Sequence, residues 1–482
     1  MEQKKTRPAG PTRTANVRPR MPHLYSFDLL RLRPVRAFAR NRYVPLVFQM
    51  LMVIVLFYSI YACFFADDER SNNFGLLMFW RVFWPSVILV SVVTVGMLWC
   101  SICPLGAISA ATQRFGLNRP FPTWLRNGVL ALALWIIVVW MVREIFHISD
   151  HGHRTAWFFL LFVAAAVLVG WLYQNRAFCQ YVCPIRIIAG LLSMISFVEL
   201  RPRRERCVEC LTTECVTGNG EVRGCPMGLH PGRLDSNRDC TYCLNCVKTC
   251  PHEAIQIRLR WPGTELVRGA RRLVIDAGFL LWVPVVLIIE KSMAHRYTPN
   301  FLVSTTDWLQ GLLGTDNRQG IWFVVVVVFS GALLLGAYLG ASRIASRILA
   351  WEFKRTFATF SYMFAPLVLI NIGSMSIPHF VGVTWGQMAT VSLAPLGVYA
   401  YREPSLLSPA GVELVGQGFG KPLLHAIGFF SMIALPFLIA SYRERDHRKI
   451  LRAATPFAII ALLIAGYFLW TSMRFPGGPW RW

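Results

Sequence analysis

The sequence predicts a mainly α-helical, polytopic membrane protein with one α+β insert on its cytoplasmic side. Three observations predict it. The chain has 482 residues, 55% hydrophobic and only 15% charged, where a soluble domain carries about a quarter charged residues. Several apolar runs approach the roughly 20 residues that cross a bilayer. Among them lies a polar stretch with Cys240-x2-Cys243-x2-Cys246-x3-Cys250-Pro251, a spacing that binds a [4Fe–4S] cluster through thiolates.

The elements follow in order. Residues 1–44 form a basic cytoplasmic arm, with eleven Lys and Arg in the first 42 residues against Glu2 and Asp28. It is Pro-rich, expected to be partly disordered, and suited to anionic headgroups. No cleavage site follows a short apolar core, so it does not read as a signal peptide. The net charge of +24 is explained by Lys and Arg collecting in cytoplasmic loops, and no nucleic-acid partner is expected. Residues 45–199 hold four spans (45–65, 79–99, 127–146 and 156–174). Residues 271–482 hold five (272–290, 321–342, 357–379, 423–441 and 455–472). The run 186–199 is too short to cross and reads as an interfacial or re-entrant helix. Nine spans put the N-terminus, the insert at 200–270 and the basic loops 113–126, 342–355 and 441–452 on the cytoplasmic side of a bacterial inner membrane. The C-terminus falls outside.

The first two hairpins repeat. One closes on Trp99-Cys100-Ser-Ile-Cys103-Pro104, the other on Phe178-Cys179-Gln-Tyr-Val-Cys183-Pro184. Sites in membrane folds often form where such repeats meet. These four cysteines are candidates for an additional metal centre. The plainer alternative is unligated cysteine packing as a small apolar residue. Cys63 reads as a structural singleton.

Within the insert a companion motif, Cys207-x2-Cys210-x4-Cys215 with Cys225-Pro226, precedes the first. Disulfides and zinc both fit cysteine-rich chains, but two Cys-Pro endings favour iron–sulfur clusters, which makes the insert a two-cluster ferredoxin-like module. The fourth cysteine of each run then ligates the other cluster. That predicts Cys207, Cys210, Cys215 and Cys250 on one cluster, and Cys240, Cys243, Cys246 and Cys225 on the second. Residues 254–257 read as the closing strand.

Six histidines, His147, His151, His153, His295, His379 and His425, fall near the outer face. His379 ends the seventh span and His425 begins the eighth, so the pair could ligate a haem or outer metal, or bind a quinone headgroup. For any single one, a polar residue facing interfacial water is the preferred reading. No Cys-x-x-Cys-His is present, so covalent haem is not indicated. No nucleotide-binding glycine loop or Ser/His/Asp arrangement stands out.

With these motifs in hand, residues 45–260 resemble the NapH/NosR-type membrane polyferredoxins, 4Fe–4S ferredoxin-type membrane electron-transfer proteins. The resemblance rests on Cys100/Cys103-Pro104, Cys179/Cys183-Pro184 and the eight insert cysteines. The family spaces its membrane cysteines by three residues. The second pair fits, and the first has two. The resemblance implies electron transfer between a cytoplasmic or quinone donor and a membrane or periplasmic acceptor, as a component of a quinol- or ferredoxin-linked oxidoreductase. Quinone or redox proteins would be its partners. The rival is a redox-dependent maturation or regulatory protein that reduces metal for a metalloenzyme. A transporter is the weakest reading, because no membrane-centre acid or lysine marks an ion path. The five later spans lie outside the shorter members.

Overall fold

The computed structural model describes residues 27–66, 73–137, 146–208, 210–268, 274–295, 300–314, 318–369 and 421–474. Helix α1 (Val44–Phe65) carries Pro45 in its first turn, where a missing N–H costs no intrahelical bond. Its far end packs closely on Gly75, where a side chain would collide with the Ser59 carbonyl and the Cys63 sulfur. Cys63 is fully buried there. The second hairpin arm is not the single helix expected over 79–99. It runs in π-helical turns over Leu77–Ile88, then α-helical over Leu89–Val95, and stops at Gly96 with φ +94°. Pro85 lies within the wide turns and cannot donate to a regular α ladder. Of the third expected span, Val129–Leu134 is helical, and 138–145 lie outside the described residues.

Each hairpin ends in the same device. Cys103-Pro104 opens the short helix α2 (Pro104–Thr112), and helix α3 (Gly152–Leu172) leads through π-helical Phe178–Val182 to Cys183-Pro184 and helix α4 (Ile185–Ser193). Pro at or beside the first helical position is preorganised for that start. α2 lies against both α1 and α3. The chain after α2 runs beside the end of α3, with Leu117 N donating to Trp171 O at 2.7 Å and Arg119 N to Leu172 O at 3.0 Å.

The run 186–199 proves to be two elements. Seven of the nine α4 residues are buried, and strand β1 (Val198–Pro202) begins two residues before the expected boundary at 200. β1 pairs antiparallel with strand β2 (Ile255–Leu259), Val198 opposite Leu259 and Pro202 opposite Ile255. Val198, Leu200, Tyr242, Val247, Ile255 and Ile257 form the small core beneath this ribbon.

The arm is also not wholly free. Asp28, 4% exposed, accepts from Ile257 N at 3.3 Å and Gln256 Nε2 at 3.1 Å and pairs with Arg203 at 3.3 Å. The helix Arg33–Arg40 follows, and its Arg36 and Arg40 pair with Glu253. Composition alone hides this docking, because the docking acid is a single residue.

Beyond the insert come helices α5 (Val274–His295), α6 (Asn300–Leu313), α7 (Arg318–Leu349), α8 (Lys421–Ser441) and α9 (His447–Arg474). The expected span 357–379 starts instead with the short helix Phe353–Phe360 and a 3-10 turn, Ser361–Phe364. α6 was not expected. Among the described residues, four helical stretches can cross a membrane by length and apolarity: Val44–Phe65, Gly152–Leu172, Val324–Leu349 and His447–Leu469. They expose large apolar side chains such as Ile54, Trp157, Leu333 and Leu463, a surface suited to lipid rather than water. The two membrane halves share one core, in which Ile187 and Leu191 of α4 join Phe279 of α5 and Phe457 of α9.

Candidate iron–sulfur sites at the membrane face

The insert loop 240–246 owes its shape to two residues with left-handed backbone, Tyr242 (φ 51°) and Leu244 (φ 62°). These turns curl Cys240, Cys243 and Cys246 around one cavity. All three line it with Cys225, and Leu200, Leu229, Leu234 and Leu244 complete the wall. Four thiols in an apolar wall supply the donor set that a [4Fe–4S] cluster takes. The other four cysteines form a neighbouring set, in which Cys207 and Cys215 each interact electrostatically with Cys210 and Cys250. The sets adjoin: Cys225 N donates to Cys215 O at 3.1 Å. Gly232 lies beside Cys207, a Cβ there falling 3.4 Å from its sulfur. Ala254 N donates to Cys250 Sγ at 3.3 Å, the kind of contact that tunes a cluster's potential.

Burial pushes three thiols of the second set up, Cys225 to about 11, Cys240 to about 12 and Cys246 well above its ordinary value, with neighbouring sulfurs adding to the effect. Cys210 goes the other way, lowered by the Thr213 backbone N–H and the Thr212 hydroxyl. Ligation requires thiolates, so loading the buried set must expel protons.

The two membrane pairs converge. A Cβ on Gly106 would sit 3.4 Å from Cys179 Sγ, 3.6 Å from Cys100 O and 3.9 Å from Cys103 Cβ. Cys183 interacts electrostatically with Cys100, Cys103 and Cys179. The two Cys-Pro cysteines are equivalent: amides of Leu105 and Gly106 act on Cys103, and those of Ile185 and Arg186 on Cys183. Each sulfur therefore faces a helix N-terminus, which favours negative charge. Arg176 and Arg186 add positive charge beside the set.

The membrane set and the insert are in contact. The Tyr242 ring packs on Gly96, so close that a Cβ there would fall 2.7 Å from it. Gln180 Nε2 donates to Asn175 O and to Met227 O, both at 2.7 Å. Arg186 pairs with Asp239, next to Cys240, at 2.6 Å. From there a buried chain continues: Arg238 Nη1 meets Asp239 at 3.0 Å, Arg238 Nε donates to Asp276 at 2.8 Å, and the Tyr362 hydroxyl donates to Asp276 at 2.7 Å. Sequence reading missed these residues. Asp276 opens an apolar run and reads as a flanking charge. Arg186 reads as the start of the 186–199 helix, and Arg238 carries no motif.

Among the described residues, no three His, Cys, Asp or Glu side chains converge tightly enough for a single metal ion. His379 lies outside the described residues. His425 sits among aromatic rings, 6.1 Å from Phe429 and 6.4 Å from Phe468 between centroids. His147 approaches Asp150 at 3.8 Å, and the His153 ring lies tilted against Phe64, 5.8 Å between centroids.

Comparison with known proteins bears on the same residues. One 4Fe–4S binding domain family matches twice, over 76–122 and 155–202, and so takes in both membrane pairs. A second 4Fe–4S binding domain family matches 236–256. The chain is similar to YccM of Escherichia coli K12, named as an electron transport protein, at 25% identity over 34% of this chain and 53% of YccM. It is similar to protein NirI of Paracoccus denitrificans at 28% over 39% of this chain and 30% of NirI. It is similar to ferredoxin-type protein NapH of Escherichia coli K12 at 25% over 34% of this chain and 62% of NapH. The matched part is thus less than two thirds of each relative. No solved structure matches the chain.

Proposed function

From the premise that this chain is a NapH/NosR-type membrane polyferredoxin, we propose that it relays electrons between its insert and the membrane through three adjoining cysteine sets. Cys207, Cys210, Cys215 and Cys250 hold one [4Fe–4S] cluster, and Cys240, Cys243, Cys246 and Cys225 hold a second. Cys100, Cys103, Cys179 and Cys183 hold an additional centre, for which the 4Fe–4S family match over both pairs argues an iron–sulfur cluster. When bound, such clusters accept and pass on single electrons. The chain's residues do the rest. Leucines wall one side of the second set, helix-start amides favour the charged form of Cys103 and Cys183, and Arg186 with Asp239 fixes the membrane set against the insert.

The observation that carries this reading is the convergence of the two membrane pairs beside Gly106, directly under the insert. The insert faces the cytoplasm of a bacterial inner membrane, as its basic flanks favour. The membrane set and the nine-span framework lead toward a quinone or an outer-face redox protein. His379 and His425 remain the proposed residues for an outer metal, haem or quinone headgroup.

Anaerobically purified full-length protein tests it. Two insert clusters predict about eight iron and eight sulfide, with further iron and sulfide from the membrane set. Serine at all four membrane cysteines should remove only that surplus, together with electron transfer to quinone. Unchanged iron and unimpaired transfer in this variant would reject the relay.

A further inference from the structure

Between the insert and the membrane helices lies a cleft of about 700 Å³, within the size range of sites for small organic ligands. Five cations line it: Arg42 at the start of α1, Arg114 after α2, Arg176 after α3, and Arg223 and Lys248 from the insert. Glu221 is the single acid in its wall. None of the five cations forms a close ion pair among the described residues; Arg42 donates to the Tyr43 hydroxyl at 2.6 Å and feels Glu221 electrostatically. Exposed arginines are ordinarily satisfied by water, and Arg42, Arg114 and Arg223 alone would say little. Arg176 differs. It is 8% exposed, and its buried Nε has no hydrogen-bond partner. The Arg176 charge also lies beside Cys179, but native structures rarely leave a buried N–H such as its Nε unmatched.

We propose that this cleft binds a phosphate-bearing ligand, with Arg176 as its buried anchor and Arg42, Arg114, Arg223 and Lys248 around it. Phosphate is the anion chemistry that fits. Guanidinium forks match its oxygens bidentately, and a cluster of five cations exceeds what one carboxylate needs. Cys225 and Cys243 also line the cleft, so the ligand would lie against the second cysteine set. The site stands whether or not those cysteines carry a cluster. Two sources offer the chemistry. One is a soluble phosphorylated carrier. The other is the headgroup of an anionic phospholipid, which could enter past Pro45 and Leu46 at the base of α1.

The test uses the full chain in nanodiscs, with iron and sulfide content assayed alongside to separate folding and cluster loading from binding. Flavin mononucleotide and inorganic pyrophosphate are titrated calorimetrically in phosphatidylcholine discs, then again with phosphatidylglycerol added. Saturable one-site binding of a soluble probe that phosphatidylglycerol leaves intact identifies a soluble ligand. Retention of phosphatidylglycerol by the protein, with competition against the soluble probes, identifies the lipid. In either case Arg176→Gln should weaken binding more than about tenfold, the scale of a lost charged hydrogen bond. Arg114→Gln, an exposed change that spares the fold, should weaken it several-fold. Absence of saturable binding by every probe, or equal affinity in wild type and Arg114→Gln, overturns the proposal.

Discussion

At the scale of single residues, the twelve motif cysteines differ in their surroundings far more than in their spacing. Cys210 sits near the surface with donors at its sulfur, which lower its proton affinity. Cys225 and Cys240 lie in the apolar cavity, raised to about 11 and about 12 mainly by burial. At mildly alkaline pH the thiolate fraction is greater the lower the pKa, and thiolate is the reactive form. In folded protein stripped of iron, Cys210 should therefore alkylate well ahead of Cys225, Cys240 and the buried Cys246, and raising the pH should narrow the gap. Mass spectrometry of timed iodoacetamide labelling reads the order. Cys240 labelling ahead of Cys210 would contradict the burial argument. The grouping of cysteines was legible in the sequence because ligand spacing is a local property and the membrane pairs recur in matching contexts. The environment of each sulfur was not. It depends on Tyr242 and Leu244 adopting left-handed backbone, and on where Arg176 and Arg186 come to lie beside the membrane set.

At the scale of elements, magnitudes separate contacts that look alike on paper. The helix Arg33–Arg40 meets the insert through Arg36 and Arg40 on Glu253, with all three side chains 41–49% exposed. Pairs of that kind contribute about 0–1 kcal/mol. Asp28 is buried, and its carboxylate accepts from two backbone N–H groups and from the side chains of Gln256 and Arg203. Removing it leaves those donors without an acceptor, at about 1–3 kcal/mol. Glu253→Gln should leave the thermal midpoint of the insert nearly unchanged. Asp28→Ala should lower it and open residues 27–40 to protease. Equal effects from the two variants would mean the arm docks differently. Where the sequence misled, the cause was again tertiary. An apolar run such as 186–199 has no internal mark of where a helix ends and a strand begins, and only pairing with β2 makes Val198–Pro202 a strand. α6 escaped notice because its buried face, Leu302 and Thr306, is too narrow to give a strong pattern.

At the scale of the whole molecule, the buried chain Arg186–Asp239–Arg238–Asp276–Tyr362 ties the membrane cysteines, the insert and the C-terminal bundle together. Arg238 is 8% exposed and Asp276 fully buried, and breaking a buried pair by removing one partner costs about 3–5 kcal/mol. Asp276→Ala should therefore loosen the C-terminal bundle from the insert, seen as faster hydrogen exchange in Phe353–Phe364, while the iron content of the insert persists. Unaltered exchange there would show that the bundle is held by its apolar core alone. The same contacts bear on orientation. The segment expected as the loop 342–355 is helical but for 350–352, and Tyr362 lies about two turns beyond its Lys354 and Arg355, so that basic segment lies near the insert. Arg443, from the loop 441–452, stacks 5.7 Å over Trp351, and Arg355 lies 5.4 Å over the same ring. The two loops that the positive-charge rule assigns to the cytoplasm thus meet each other and sit near the insert. α6, with 14 residues, is about 21 Å long at 1.5 Å per residue and falls short of a core about 30 Å thick, so it adds no crossing. α9 then carries the chain away from the meeting point of these loops. Reporter fusions after Arg260 and after Trp482 should accordingly report opposite compartments, the first cytoplasmic and the second periplasmic. A shared compartment would require an even number of crossings between them, and the first place to seek the error is 357–379, whose latter part lies outside the described residues.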